Sequence, residues 1–136
     1  MHIIEIFCRL FLSTLFIFEA IRKFFHQEET IDYMQNFGVP EFLFYPSLLF
    51  ELIIPILVII GFQIRISALA MSVFTLTVSI IFHSDFSNHM QVIAFLKNLS
   101  IAGGFLIIST YKPKMYTLDY YFKNNINIYI FWSIFI

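Results

Sequence analysis

Residues 50–61, Phe50-Glu51-Leu52-Ile53-Ile54-Pro55-Ile56-Leu57-Val58-Ile59-Ile60-Gly61, decide the class of this chain. Large aliphatic side chains fill the stretch almost completely, yet it contains one carboxylate and one proline. In water such a run would aggregate, whereas in a lipid bilayer it reads as a spanning helix. An ionisable group inside such a helix is expensive, so Glu51 is by default a candidate functional residue.

The overall composition supports a membrane protein. Of 136 residues, 60% are hydrophobic and 12% charged, and phenylalanine occurs 19 times. A soluble domain averages roughly 45–50% apolar and about 25% charged residues, and a small one leaves much of its surface exposed. The length suits one domain. The net charge of −1 without a basic run argues against nucleic acid as a partner.

Hydropathy predicts an all-α fold, a four-helix transmembrane bundle. The expected spans are residues 3–25, 42–61, 66–82 and 91–111, each near the roughly 20 residues that a bilayer requires. Residues 1–123 would form the bundle, with the first span retained because no cleavage site follows it. Residues 124–136 would be an apolar extension too short to span.

The connection between the first two spans, residues 26–41, is polar and predicts a short interfacial helix. Ile31, Met34 and Phe37 recur there at helical spacing. Gly38 would end this helix in the left-handed conformation and Pro40 would prevent its continuation. The short link between spans 2 and 3 predicts an antiparallel hairpin.

The third span places its small and polar residues on one face. One interpretation of this face is a surface for close helix packing. The other is a polar wall of a cavity. In span 4, the Gly103-Gly104 pair likewise predicts close helix contact. The residues on the face of span 3 are Arg65, Ala68, Ser72, Thr75, Ser79 and His83.

Counting residues along the spans brings three ionisable groups to a similar depth. From the side of the first and third connections, Glu19 is about 9–10 Å down, Glu51 about 14 Å and Lys97 about 9 Å. Asn98 adjoins Lys97. Isolated charges are costly in hydrocarbon, so we expect them to face inward and pair, with Glu51 or Glu19 as the partner of Lys97.

Further charged residues surround this candidate pocket. Glu5–Arg9 and Glu19–Lys23 have the i, i+4 spacing of helical ion pairs. Two interpretations stay open: an ion-pair network that fixes helix register, or a polar pocket that binds a small ligand or carries protons. The candidate pocket residues are Glu51, Lys97, Glu19, Asn98, Lys23, His83 and Arg9.

Metal and haem sites are disfavoured. The histidines lack HxxxH or ExxH spacing, and the single cysteine, Cys8, excludes an intrachain disulfide and a CxxC pair. Lys and Arg residues are more numerous on the side of the termini, so the positive-inside rule favours cytoplasmic termini. That side holds Arg65, Lys112, Lys114 and Lys123, and the other holds Arg22 and Lys23.

A series of short motifs extends over roughly residues 5–120. They are Arg9-Leu10 with Lys23, Phe37-Gly38-Val39-Pro40, Glu51 with Gly61 and Arg65, His83, Lys97-Asn98 with Gly103-Gly104, and Tyr116-Thr117-Leu118-Asp119. In their order and spacing these motifs resemble the DoxX-like family of small bacterial membrane proteins. The sequence departs from the family pattern at Ser13 and Ala20, where the family commonly has glycine, and at Glu19, where it usually has a small residue.

The resemblance implies a four-helix protein of the bacterial inner membrane. Founding members look like subunits of a thiosulfate:quinone oxidoreductase, and some relatives join oxidoreductase complexes tied to oxidative stress. We therefore expect an accessory or membrane subunit of a redox system, in contact with quinone and with another membrane protein or a second copy. No flavin, haem or iron–sulfur signature is evident, so a partner would supply electrons. The alternative is a small-solute or proton-coupled transporter, or an assembly factor.

Overall fold

The computed structural model describes residues 2–110 and 117–125, which contain helices and no β-strand. The predicted extension at residues 126–136, the end of span 4 at Tyr111 and Tyr116 of the tail motif lie outside these residues. A 3₁₀ turn, Glu41–Leu43, leads directly into the third helix. The helices are α1 (His2–Phe25), α2 (Gln27–Asn36), α3 (Phe44–Ile60), α4 (Ile64–Phe82), α5 (His89–Ser109) and α6 (Leu118–Asn125).

Within residues 2–110 and 117–125, three helical segments are long and apolar enough to cross a membrane: Glu41–Ile60, Ile64–Phe82 and His89–Ser109. They correspond to the predicted spans 2, 3 and 4. Helix α1 has 24 residues, but every 18-residue stretch of it contains at least three of its charged side chains. Its length is that of a span, whereas its charge density is higher than that of the other three.

Two glycines end helices, Gly38 as the sequence predicts and Gly61 in the same manner. Gly38 follows α2 with φ +74° and Gly61 follows α3 with φ +70°, both in the left-handed region that a side chain disfavours. The three-residue link from Gly61 to Gln63 makes α3 and α4 an antiparallel hairpin. Helix α3 continues through the buried Pro55.

Helix α1 packs along α3, and α4 packs along α5. The apolar core lies between these pairs, in the half of the protein that contains the α3–α4 link. Phe16 of α1 and Phe105 of α5 meet there with ring centroids 5.7 Å apart. The core consists of Phe16, Val58, Ile64, Ala68, Met71, Phe105 and Ile108.

The polar face of α4 is a packing surface against α5. Ala68, Ser72, Thr75 and Ser79 are buried. The Ser72 hydroxyl donates to the Ala102 carbonyl at 2.9 Å. Along most of its length, this face is therefore a surface for close helix packing rather than a cavity wall.

The paired glycines of α5 differ in their surroundings. A Cβ on Gly104 would lie 3.0 Å from Leu12 Cδ1 of α1, whereas a Cβ on Gly103 would meet nothing within 4 Å. The predicted close contact is thus confirmed at Gly104 alone.

Candidate functional site

A cavity of about 830 Å³ opens where α1, α3, α4 and α5 approach the α1–α2 connection. Helix α2 and the segment that follows it line the cavity at this end. Aliphatic and aromatic side chains supply most of the surface, and Phe16 of the core contributes to it as well. The charged and polar lining residues are Glu19, Arg22, Lys23, Glu29, Thr30, Ser47, Glu51, Thr75, Thr77, His83, Lys97 and Asn98.

Glu51 forms its ion pair across helices with Lys23. Lys23 Nζ lies 2.6 Å from Oε1 and 2.7 Å from Oε2 of the carboxylate. The Glu51 side chain is 4% exposed and that of Lys23 is 21% exposed, on the cavity side. The lysine stem extends from near the end of α1 down to the carboxylate, so the pair ties α1 to α3.

Glu19 pairs within its own helix. Its Oε2 accepts from Arg22 Nε at 3.1 Å and from Nη2 at 3.0 Å. The predicted pairing of Lys97 with Glu51 or Glu19, and that of Glu19 with Lys23, are therefore wrong. Lys23, not Lys97, pairs with the Glu51 carboxylate, because its long side chain reaches from near the end of α1 to both carboxylate oxygens.

Lys97, Asn98 and His83 nevertheless lie where the sequence predicts, on the cavity wall. His83 Nδ1 is 2.7 Å from Gln91 Oε1, a contact that joins the end of α4 to the start of α5. Thr75 lines the cavity from α4 and donates its hydroxyl to the Met71 carbonyl at 2.7 Å. The part of the α4 polar face that includes Thr75 and His83 thus makes contacts within the protein and also lines the cavity.

Aromatic rings form two walls of the cavity. Phe50 and Phe74 stack with centroids 4.8 Å apart. Near the mouth, Tyr33 stacks on Phe82 at 5.4 Å, and Phe37 meets the same ring edge-on at 5.2 Å. Burial raises the pKa of Tyr33 above its ordinary value, so its phenol stays protonated.

Arg9 is the one predicted site residue outside the cavity. It lies at the opposite end of α1, where it pairs with Glu5, and its side chain is 2% exposed. One of its terminal nitrogens is 3.1 Å from the position of a Cβ on Gly61. Arg9 therefore belongs to a second polar cluster beside the α3–α4 link.

Asp119 of the tail completes this second cluster. Its carboxylate accepts the backbone N–H of Gln63 at 2.6 Å and of Ile64 at 2.9 Å, and its own N–H donates to the Gly61 carbonyl at 3.1 Å. The side chain thus caps the N-terminus of α4, whose first amides have no helical partner. Burial raises the pKa of Asp119, and these two donors and Arg9 counteract part of that rise.

The sequence indicated Asp119 only through the Thr117-Leu118-Asp119 motif in the tail. No local spacing links a carboxylate to amides more than fifty residues away, so its role as a cap requires the tertiary fold. Among residues 2–110 and 117–125, no group of three or more His, Cys, Asp or Glu side chains is placed to hold a metal ion.

With this geometry established, comparison with known proteins identifies the family. The DoxX family model matches residues 5–84, more than half of the chain. The chain belongs to the DoxX family. The matched range includes Arg9, Glu51 and His83, and therefore both polar clusters in part.

A curated relative of this DoxX protein is the inner membrane protein YqjF of Escherichia coli strain K12. The two are 34% identical over 111 residues, which cover 82% of this chain and 85% of the relative. No solved structure matches the chain. The three helices of this DoxX protein that are long and apolar enough to cross a membrane agree with a location in a membrane.

Proposed function

We propose that this DoxX-family protein is a membrane subunit or accessory protein of a quinone-linked redox system, and that its cavity receives the quinone. The observation that supports the proposal is the cavity itself. Most of its surface is apolar, and charged and polar side chains are placed among the apolar ones, which is the usual composition of a small-molecule site. Its volume of about 830 Å³ lies within the range of such sites.

A quinone suits this lining in two respects. Its planar ring can pack against the stacked Phe50 and Phe74 rings, and its isoprenoid tail against the neighbouring aliphatic side chains. Its carbonyl oxygens are hydrogen-bond acceptors, and Lys97 and Asn98 present N–H donors to the cavity. A partner protein that oxidises a sulfur or thiol donor would supply the electrons.

The proposal includes a topology in which α1 is a fourth span. The Glu5–Arg9 and Glu19–Arg22 pairs reduce the cost of its charges. Helix α2 then lies at the outer interface over the cavity mouth. Cytoplasmic termini follow from the excess of Lys and Arg at that end, and the cavity opens toward the outer face of the inner membrane.

Direct binding tests the proposal. The purified protein in nanodiscs is titrated with decylubiquinone, and we expect saturable binding that Phe50→Ala weakens. Ile53→Ala, on the exposed side of the same helix, is the matched control and should bind normally. A deletion strain should lose quinone-linked oxidation of thiosulfate or a related sulfur donor. Absence of binding together with unchanged oxidation would refute the proposal.

Transport is the second candidate, and the burial of Glu51 favours it. A carboxylate in a spanning helix that reaches a cavity through its lysine partner could exchange protons with a passing solute. Transport predicts that Glu51→Gln abolishes a pH-dependent flux in proteoliposomes while the protein still folds. An assembly role predicts instead that deletion removes one co-purifying membrane protein.

A further inference from the structure

Most polar side chains of the cavity already have a partner within the protein. Lys23 holds Glu51, and Arg22 holds Glu19. The remaining satisfied groups are hydroxyls and an imidazole with short contacts to neighbouring oxygens: Thr30, Ser47, Thr75, Thr77 and His83. Each of the two ion pairs therefore has no net charge. The paired groups leave few hydrogen-bond donors or acceptors available to a ligand.

Lys97 and Asn98 are different. Both line the cavity, and neither forms a hydrogen bond or ion pair within residues 2–110 and 117–125. They adjoin each other on α5, eight and nine residues after its first residue, His89. At 1.5 Å per residue Lys97 lies about 12 Å along the helix, within the half-thickness of about 15 Å of a hydrocarbon core.

The other unpaired charge on the cavity wall does not neutralise this position. Glu29 is exposed and belongs to α2, the polar helix over the mouth, where water and salt screen its charge. Inside the spanning helices, the charges that face the cavity are thus the two closed ion pairs and the ammonium of Lys97. The membrane-embedded part of the cavity carries an excess positive charge.

The chemistry of these two side chains selects the head group of a ligand. A lysine ammonium can only donate hydrogen bonds, and the asparagine amide can donate as well. A head group that accepts is required, and an anion gains most because charge-assisted hydrogen bonds are the stronger ones. An ammonium or guanidinium ligand is excluded by repulsion at the same position.

The route to this position is lateral. Lys97 is exposed although it lines the cavity, and its neighbours Ile93, Leu96 and Leu99 on α5 are exposed apolar side chains. Helix α1 meets α5 further along α5, where Leu12 lies beside Gly104 and Phe16 packs against Phe105. The wall beside Lys97 is therefore open toward the bilayer.

We infer that Lys97 and Asn98 form a binding site for the anionic head group, a carboxylate or phosphate, of a single-chain amphiphile that enters from the membrane. The chain of the amphiphile packs against the apolar cavity wall. This site uses the same cavity as the proposed function but does not depend on quinone as the ligand. Each of the two proposals can therefore fail without the other.

The test compares amphiphiles of equal chain length. The protein in phosphatidylcholine nanodiscs is titrated with dodecanoate, dodecyl phosphate, dodecanol and dodecylamine, with empty nanodiscs as the partition blank. We expect either or both anions to bind about tenfold or more tightly than the alcohol, the range of a charge-assisted hydrogen bond. Dodecylamine should bind no better than the blank. The comparison of the two anions identifies which head group fits.

Three variants locate the effect. Lys97→Gln should reduce the anion to the affinity of the alcohol, and Lys97→Arg should retain most of the preference. The double variant Glu19→Gln/Arg22→Gln removes a neutral ion pair from the same cavity wall and should leave the preference unchanged, because the net charge of the cavity stays the same. Equal affinity for anion and alcohol, or a preference that survives Lys97→Gln, overturns the inference. Decylubiquinone binding in the same nanodiscs decides separately on the proposed function.

Discussion

Lys23 of α1 and Glu51 of α3 form a bidentate ion pair, with Nζ 2.6 Å and 2.7 Å from the two carboxylate oxygens. It joins the helix with the most charged residues to the most apolar one. Removing one partner leaves the other charge in a poorly solvated place, whereas removing both leaves none. This asymmetry distinguishes a register-fixing pair from a pair whose charge is needed for function.

We expect Lys23→Met and Glu51→Leu each to lower stability, and the double variant to recover much of the loss. The single effects should fall below the roughly 3–5 kcal/mol of a fully buried pair, because Lys23 is partly open to the cavity. Thermal unfolding in a mild detergent measures all three variants. Additive losses in the double variant would contradict the coupling. Recovered stability without recovered ligand binding would show that the charges also serve the cavity.

Counting residues along the helices predicted the depth of Glu19, Glu51 and Lys97 but not the partner of each. Six of the seven predicted site residues line one cavity, because rise per residue fixes depth along a helix. The partner of Glu51 depended on helix rotation and on the reach of the Lys23 side chain, which no residue count supplies. The Arg9–Glu5 pair was predicted correctly, because it forms within one helix. Arg9 was assigned to the cavity although it lies at the opposite end of α1, because its other neighbours, such as Gly61, come from distant parts of the chain.

Gly61 and Gly103 provide a matched pair of glycine substitutions. Gly61→Ala should destabilise the protein, because the left-handed conformation costs an alanine about 1–2 kcal/mol and its Cβ would lie 2.8 Å from Thr117 Cβ. Gly103→Ala should stabilise it by about 0.5–1 kcal/mol, since the position is helical and open. Thermal unfolding measures both. Two shifts of the same sign would contradict the assigned conformations.

Ser13 and Ser72 test the cost of a hydroxyl inside the protein. Both are buried, but Ser13 Oγ has no hydrogen-bond partner among the described residues, whereas Ser72 donates to Ala102. An unsatisfied buried polar group costs about 1–3 kcal/mol. We therefore expect Ser13→Ala to raise the unfolding temperature and Ser72→Ala to lower it. A loss of stability in Ser13→Ala would mean that its hydroxyl has a partner.

Asp119 should contribute to stability as a cap rather than as a free charge. Asp119→Asn keeps the size but presents one acceptor where two backbone amides require one each. The loss should be near the about 0.5–2 kcal/mol of a helix N-cap, measured by unfolding in detergent. Asp85→Asn is the control. The Asp85 carboxylate also accepts a backbone N–H, from Ser87, but on an exposed loop, so its replacement should change stability much less.

The proposed topology predicts opposite labelling of the two ends of the protein. In a Cys8→Ala background, Ser87→Cys lies in the exposed α4–α5 connection, and Tyr121→Cys replaces an exposed side chain of α6. An impermeant maleimide added to cells with a permeabilised outer membrane should label Ser87→Cys alone. Tyr121→Cys should react only after the inner membrane is lysed, and an N-terminal epitope tag should be protected in the same way. Accessibility of the tag in intact cells would mean that α1 does not cross the membrane. Labelling of Tyr121→Cys before lysis would place the cavity mouth on the cytoplasmic side. The partner protein that supplies electrons would then have to be a cytoplasmic one.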